Sequence, residues 1–168
     1  MFQQSVLFVC LGNICRSPLA EGVFRHLVER EGLGQSIRVD SAGTGSWHVG
    51  DPPDRRSIKV AADYGIDLTI LRGRQLTRSD FTTFDLIIGM DRSNVATILS
   101  RAPEGERHRV RLFADVTAGG EWDVPDPYYG TMDDFAAVYQ MVSDGCMSLL
   151  GKLKSSDASL SGNTSSVR

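Results

Sequence analysis

Residues 5–22 read SVLFVCLGNICRSPLAEG: an apolar run, a turn crowded with reactive and polar groups, and the start of a helix. Residues 5–9 are short and nearly continuous in apolar side chains, as expected for a strand covered on both faces. Ser17 followed by Pro18 predicts an N-cap with proline at the first helical position, where a missing N–H does no harm. Ala20, Val23, Phe24, Leu27 and Val28 then share one stripe, and the helix is expected to end near Gly32.

The same alternation continues outward. Residues 37–42 predict a second strand, followed by a loop rich in Gly, Pro and Asp over 43–53 and a helix carrying Ile58, Ala61 and Ala62 that stops at Gly65. FDLIIGM at 84–90 predicts a third buried strand, leading through DRSN into a helix with Val95, Ile98 and Leu99. Residues 110–113 are the last strand candidate. A long helix over 133–153 closes the domain, with Phe135, Val138, Val142, Cys146, Leu149 and Leu153 spaced by threes and fours. Strands alternating with helices predict an α/β fold: three layers, a four-stranded parallel sheet with helices on both faces, flavodoxin- or Rossmann-like. Ligands of such folds sit outside the carboxyl ends of the strands, which is where the quoted turn lies.

Composition bounds the reading. The chain has 168 residues, 41% hydrophobic and 23% charged, enough for one domain around a single core, expected over 1–154. A net charge of −3 argues against a nucleic-acid binder, which shows a basic excess. The early apolar stretch at 6–10 is too short for a signal-peptide core, and nothing approaches a membrane span. Three cysteines in such a chain predict reduced thiols in a cytoplasm. Residues 155–168 hold six serines and are expected to be a disordered tail.

The turn itself is built for an anion. Cys10 ends the strand and sits at the lip of the sheet. Gly12 and Asn13 tolerate left-handed backbone angles and let successive N–H groups turn inward as a nest. The following helix points its positive end at the same spot, and Arg16 adds a fork that grips two oxygens of a phosphate. Those same features favour a thiolate at Cys10, the nucleophilic form of cysteine, with Ser17 placed to donate to the sulfur.

CLGNICRS, directly after a strand and before a helix, resembles the low-molecular-weight protein tyrosine phosphatases. DSAGT at 40–44, Trp47, MDRSN at 90–94 and DPYYG at 126–130 extend the likeness over residues 5–153. The resemblance implies a two-step mechanism in which Cys10 takes phosphorus from the substrate and water hydrolyses the phosphocysteine. Leu11, Gly12, Asn13, Ile14, Cys15, Arg16 and Ser17 would cradle the phosphate, and Arg16 would stabilise the transferring group. Asp126 matches the general acid that protonates the leaving phenol, and Pro127 restricts its backbone. Trp47, Tyr128 and Tyr129 match positions that wall the substrate cleft. Ser41 matches a residue that bonds the Asn13 side chain and holds the loop in shape. Asp91 reads as a helix cap rather than a participant. The resemblance further implies tyrosine-phosphorylated proteins as partners, a bacterial tyrosine kinase as the opposing enzyme, a monomer, no nucleic acid, no membrane, no metal and no cofactor.

Other readings fit less well. A zinc site wants four clustered ligands, while His26, His48 and His108 are scattered singly. No Gly-Lys-Ser/Thr follows the turn, which excludes a nucleotide P-loop. Arsenate reductases share the loop but need two more cysteines mid-chain, and here Cys146 falls on an apolar stripe. Bacterial arginine phosphatases tend to have threonine at the position of Ile14. A non-catalytic phosphate reader has no need for intact Cys10, Arg16 and Asp126. Cys15, on the same tight loop as Cys10, predicts a reversible disulfide under mild peroxide. One departure stands out: Arg72, in LTILRGRQLT, occupies a position often filled by histidine in the family.

Overall fold

The computed structural model describes residues 2–163, with side chains through residue 156. In chain order the elements are β1 (Gln4–Cys10), α1 (Arg16–Arg30), β2 (Ile37–Gly43), α2 (Arg55–Asp63), α3 (Asp80–Thr83), β3 (Leu86–Gly89), α4 (Arg92–Arg101), β4 (Val110–Leu112), α5 (Phe113–Ala118) and α6 (Met132–Asn163). A 3-10 turn over Glu104–Arg109 leads from α4 into β4. The four strands form one sheet in the order β2-β1-β3-β4, with every pairing parallel. The fold is the α/β architecture expected. The chain steps from β1 to β2 on one side and then to β3 on the other, so the strand order reverses at the carboxyl end of β1. A crevice opens there, because the crossovers on either side diverge.

Period-two alternation along β1 divides the core between two layers. Val6, Phe8 and Cys10 face α1, α5 and α6, packing with Leu19, Phe24, Phe113, Val142 and Cys146. Phe8 meets Phe24 edge-on, with ring centroids 5.7 Å apart. Leu7 and Val9 face the opposite way, against Phe81, Phe84, Ile87, Ile98 and Val110. Both faces of the strand are therefore covered, which is why its sequence is a continuous apolar run. Among the described residues no helix is long and apolar enough to cross a membrane.

The structure departs from the sequence reading at several termini. Helix α1 starts at Arg16 with Cys15 as N-cap and no side-chain capping bond, so Ser17 is not the cap. Pro18 falls in the first turn instead, where N–H groups lack helical partners in any case. Helices α3 and α5 and the 3-10 turn have no counterpart in the reading; at four to six residues they are too short for a periodic signal. Helix α6 continues past the expected end at Leu153, with Lys154 paired to Glu31, the C-cap of α1, at 2.8 Å and Ser155 donating back to the carbonyl of Gly151. The tail expected over 155–168 thus overlaps the end of this helix, and its remainder from residue 164 lies outside the described residues.

The end of β3 and the start of α4 touch closely. A Cβ on Gly89 would lie 2.7 Å from Val95 Cγ2 and 3.0 Å from the Val95 backbone nitrogen. Gly89→Ala must push the first turn of α4 outward, and urea denaturation is expected to show a loss of about 1–3 kcal/mol, the usual range for overpacking.

Candidate active site

The turn after β1 is held from outside by its carbonyls. Thr44 N donates to Cys10 O and Gly45 N to Leu11 O, both at 2.9 Å. Asp54 N donates to Ile14 O at 2.8 Å, and Ser57 Oγ to Cys15 O at 3.2 Å. Gly43 makes the first two contacts possible, since a Cβ there would sit 2.9 Å from Leu11 O. With the carbonyls taken on the outer side, no acceptor among the described residues takes the N–H groups of residues 11–15. Orphan donors beside the N-terminus of a fifteen-residue helix form a cradle for an anion.

One side chain shapes this cradle. Asn13 adopts φ 56°, the sole non-glycine residue with positive φ among those described, and it is buried. Its Oδ1 accepts the backbone N–H of Arg74 at 3.0 Å. Since that N–H can only donate, the amide orientation is fixed, and Nδ2 must donate to Ser17 Oγ at 2.8 Å and Ser41 Oγ at 2.9 Å. Ser41 sends its single proton to Glu21 Oε1 at 2.6 Å, and Glu21 is in turn paired with Arg25 at 2.6 Å. Ser17, already accepting from Asn13, has one proton within reach of both Cys10 Sγ at 3.0 Å and Ala42 O at 3.4 Å; a thiolate can only accept, so toward an ionised Cys10 the hydroxyl is the donor. The chain therefore ends in a hydroxyl that can donate to a thiolate at Cys10. Burial pushes the Glu21 carboxyl up, while Ser41 and Arg25 pull against that shift.

Arg16 comes from the same turn and is 3% exposed. Its Nη1 donates to Asp91 Oδ2 at 2.6 Å and to Val124 O at 2.9 Å. Burial alone disfavours its charge; the neighbouring Cys10 sulfur, the Asp91 hydrogen bond and the carboxylates of Asp91 and Asp126 outweigh that and hold the guanidinium more firmly protonated than usual. Asp91 does cap α4, accepting from Asn94 N at 2.6 Å, but its second oxygen orients Arg16, a role the sequence reading missed. Across the crevice, Asp126 Oδ2 lies 3.8 Å from Arg16 Nη2, and Oδ1 accepts the N–H of Tyr128 at 3.1 Å.

Thiol, guanidinium, acid and cradle thus meet at one end of the sheet. Residues 5–159 match the profile of the family described as low molecular weight phosphotyrosine protein phosphatase. The chain belongs to this family. It is 48% identical over 141 residues to the low molecular weight phosphotyrosine protein phosphatase of Schizosaccharomyces pombe, covering 83% of this chain and 90% of that protein. The crystal structure of a protein tyrosine phosphatase from Entamoeba histolytica, with Hepes in its active site, superposes with a TM-score of 0.86 at 38% identity, covering 92% of this chain and 99% of that one. The arginine phosphatase YwlE, with a phosphorylated active-site serine, superposes with a TM-score of 0.83 at 28% identity, covering 90% of this chain and 96% of that one.

In this phosphatase-family chain the cleft above Cys10 encloses about 240 Å³ and is walled by Leu11, Ile14, Trp47, His48, Tyr128 and Tyr129. The three aromatic residues matched from the sequence do gather there, with Tyr129 at 96% exposure forming the outermost edge. Gly12 is not in the left-handed region; its lack of a side chain instead makes room for His48, whose Cδ2 would be 3.3 Å from a Cβ. Arg72 takes no part, since its guanidinium folds back onto the carbonyls of Thr69 and Leu71. The contact to the cradle comes two residues later, from the backbone of Arg74, whose side chain is clamped by Asp80 and Asp40. Cys10, Cys15 and Cys146 are free thiols, all buried, and burial pushes the Cys15 thiol up.

Ser17→Ala removes the one hydroxyl aimed at the sulfur while leaving the carbonyl ties of the turn in place. A hydrogen bond to a charged group contributes about 1.5–3 kcal/mol, so turnover of p-nitrophenyl phosphate should fall roughly tenfold to a hundredfold, with inorganic phosphate still competing for the cleft.

Proposed function

We propose that the chain hydrolyses phosphotyrosine in proteins through a phosphocysteine intermediate, with Cys10, Arg16 and Asp126 as the catalytic residues. The observation that carries this reading is the Cys10 sulfur, hydrogen-bonded by Ser17 at 3.0 Å on the floor of a cleft that Arg16 and Asp126 face. In the first step the Cys10 thiolate forms a bond to phosphorus as the P–O bond to the tyrosine ring breaks. The electron pair leaves with the phenolic oxygen, which takes the proton of Asp126. In the second step Asp126, now ionised, accepts a proton from water as the water oxygen displaces the sulfur and inorganic phosphate forms. Residues 11–17 supply the amide donors, and Arg16 and the amides balance the charge on the equatorial oxygens. Ser41 acts through Asn13 on the shape of the cradle.

Trp47, Tyr128 and Tyr129 suit an aryl ring, which prefers aromatic faces at its edges and flanks. The second reading, a protein arginine phosphatase, is favoured by the structural likeness to YwlE. Ile14, apolar and lining the cleft, and the higher identity to tyrosine-directed relatives favour the first. Proteins phosphorylated on tyrosine are then the partners, the opposing activity is a tyrosine kinase, and the protein works as a cytoplasmic monomer needing no metal or cofactor.

Phosphotyrosine, phosphoarginine and phosphoserine peptides assayed side by side discriminate the readings: the first should be turned over fastest, and a preference for phosphoarginine overturns the assignment. Labelled phosphotyrosine quenched in acid should leave its phosphorus on residue 10, and Cys10→Ser should abolish turnover with the fold intact. Asp126→Asn should lower kcat/KM for phosphotyrosine by about 10²–10⁴, the usual contribution of a positioned acid. EDTA should leave the rate unchanged.

A further inference from the structure

We propose that Arg56, at the start of α2, is a positioning residue that sets the distance between the nucleophile's cradle and the acid loop. The inference rests on Asp126 being the general acid. Asp126 has no hydrogen bond of its own to the body of the domain among the described residues; Oδ1 is satisfied within its loop by Tyr128 N. Apart from its 3.8 Å ion pair with Arg16, where its carboxyl stands is therefore decided by how the segment 124–130 is anchored. One anchor is Val124, whose N–H donates to Met90 O at 3.0 Å and whose carbonyl accepts from Arg16 at 2.9 Å.

Arg56 is the other. Its Nη2 donates to Tyr128 O at 2.9 Å and its Nη1 to Gly130 O at 3.1 Å, so one planar guanidinium takes two carbonyls on the far side of Asp126. The group is held rigidly behind: Nε and Nη2 fork onto Asp54 Oδ1 and Oδ2 at 3.0 and 2.9 Å, and the guanidinium carbon sits 4.3 Å above the ring of Phe135. Asp54 is not free to drift, because its backbone N–H donates to Ile14 O, on the outer side of the cradle, at 2.8 Å. The next residue along α2, Ser57, holds Cys15 O. A continuous bracket runs from Ile14 through Asp54 and Arg56 to Tyr128 and Gly130. Its ends hold the cradle and the acid loop, and it reaches the cradle only through the outward carbonyls of Ile14 and Cys15, not through the amides that face the phosphate. A lysine offers a single compact charge in place of the fork and does not span both carbonyls and Asp54 at once.

A misplaced acid has a signature that general destabilisation lacks. Tyrosine leaves as a phenol of pKa about 10 and needs the proton, whereas p-nitrophenol is a better leaving group and needs it less. Arg56→Met keeps an apolar stem over Phe135 and removes every donor; Arg56→Lys is the conservative companion if the first variant folds poorly. In the full-length protein, kcat/KM for phosphotyrosine should fall about tenfold more than kcat/KM for p-nitrophenyl phosphate, the scale expected for a small misplacement of a reacting group. Inhibition by inorganic phosphate should stay within about twofold, because the ties of Asp54 N and Ser57 to the cradle do not pass through the Arg56 side chain. Combining Arg56→Met with Asp126→Asn should add nothing to the substrate ratio already changed by Asp126→Asn. Equal losses on both substrates, phosphate binding lost in step with activity, or a ratio that adds independently to that of Asp126→Asn would each overturn the bracket while leaving Asp126 in its role. A ratio unmoved by Asp126→Asn itself would remove the acid, and the bracket with it.

Discussion

The site depends on the fixed orientation of one amide. Asn13 is held in a left-handed backbone conformation, and its side-chain oxygen is committed to the Arg74 N–H. Everything downstream follows from donors and acceptors being countable. The two protons on Nδ2 go to Ser17 and Ser41, Ser41 passes its proton to Glu21, and Ser17 is left with a proton it can turn to a thiolate at Cys10. A buried carboxylate ion-paired with Arg25 lies at one end of this chain and the proposed nucleophile at the other. Such a network is effective only when complete, because in a low-dielectric interior each unpaired member carries a full desolvation penalty. The buried, partnered state of Glu21, Ser41, Asn13 and Ser17 meets that condition.

Much of this was legible in the chain because its signals are local. An apolar run, a turn with Gly12, Asn13 and Arg16, and an amphipathic stripe are contiguous, and they place β1, the cradle and α1 without tertiary information. The same locality misled at Ser17, where Ser-Pro before an apolar stripe has the form of a helix cap. The hydroxyl instead lies against Cys10, and the helix begins two residues earlier with a cap that lacks a side-chain bond. Asp91 was recognised for its cap but not for Arg16, since a cap is a matter of three residues and the ion pair spans 75.

Arg56, Arg74 and Gly43 were illegible for a related reason. Each looks like an ordinary loop or first-turn residue until the fold brings the cradle beside it. Gly43 stands in DSAGT, but nothing in that motif tells that the close approach of β2 to Leu11 excludes a Cβ there. The attention drawn to Arg72 was near the right place and on the wrong atom: the contact is a backbone N–H two positions on, a donor that every residue except proline supplies. Side-chain identity says nothing about such a contact.

The wide sequence separation of the two halves of the site has a consequence for synthesis. The carbonyl ties of the cradle reach no further along the chain than Ser57, whereas Val124 stands 108 residues from Arg16 and Phe135, the ring beneath Arg56, lies later still. A polypeptide emerging from the ribosome at about 5–20 residues per second therefore releases the segments that tie the cradle's carbonyls several seconds before Asp126. The last helix arrives after both halves, and its Val138, Val142, Cys146 and Leu149 complete the core on which α1 and the floor of the cleft rest.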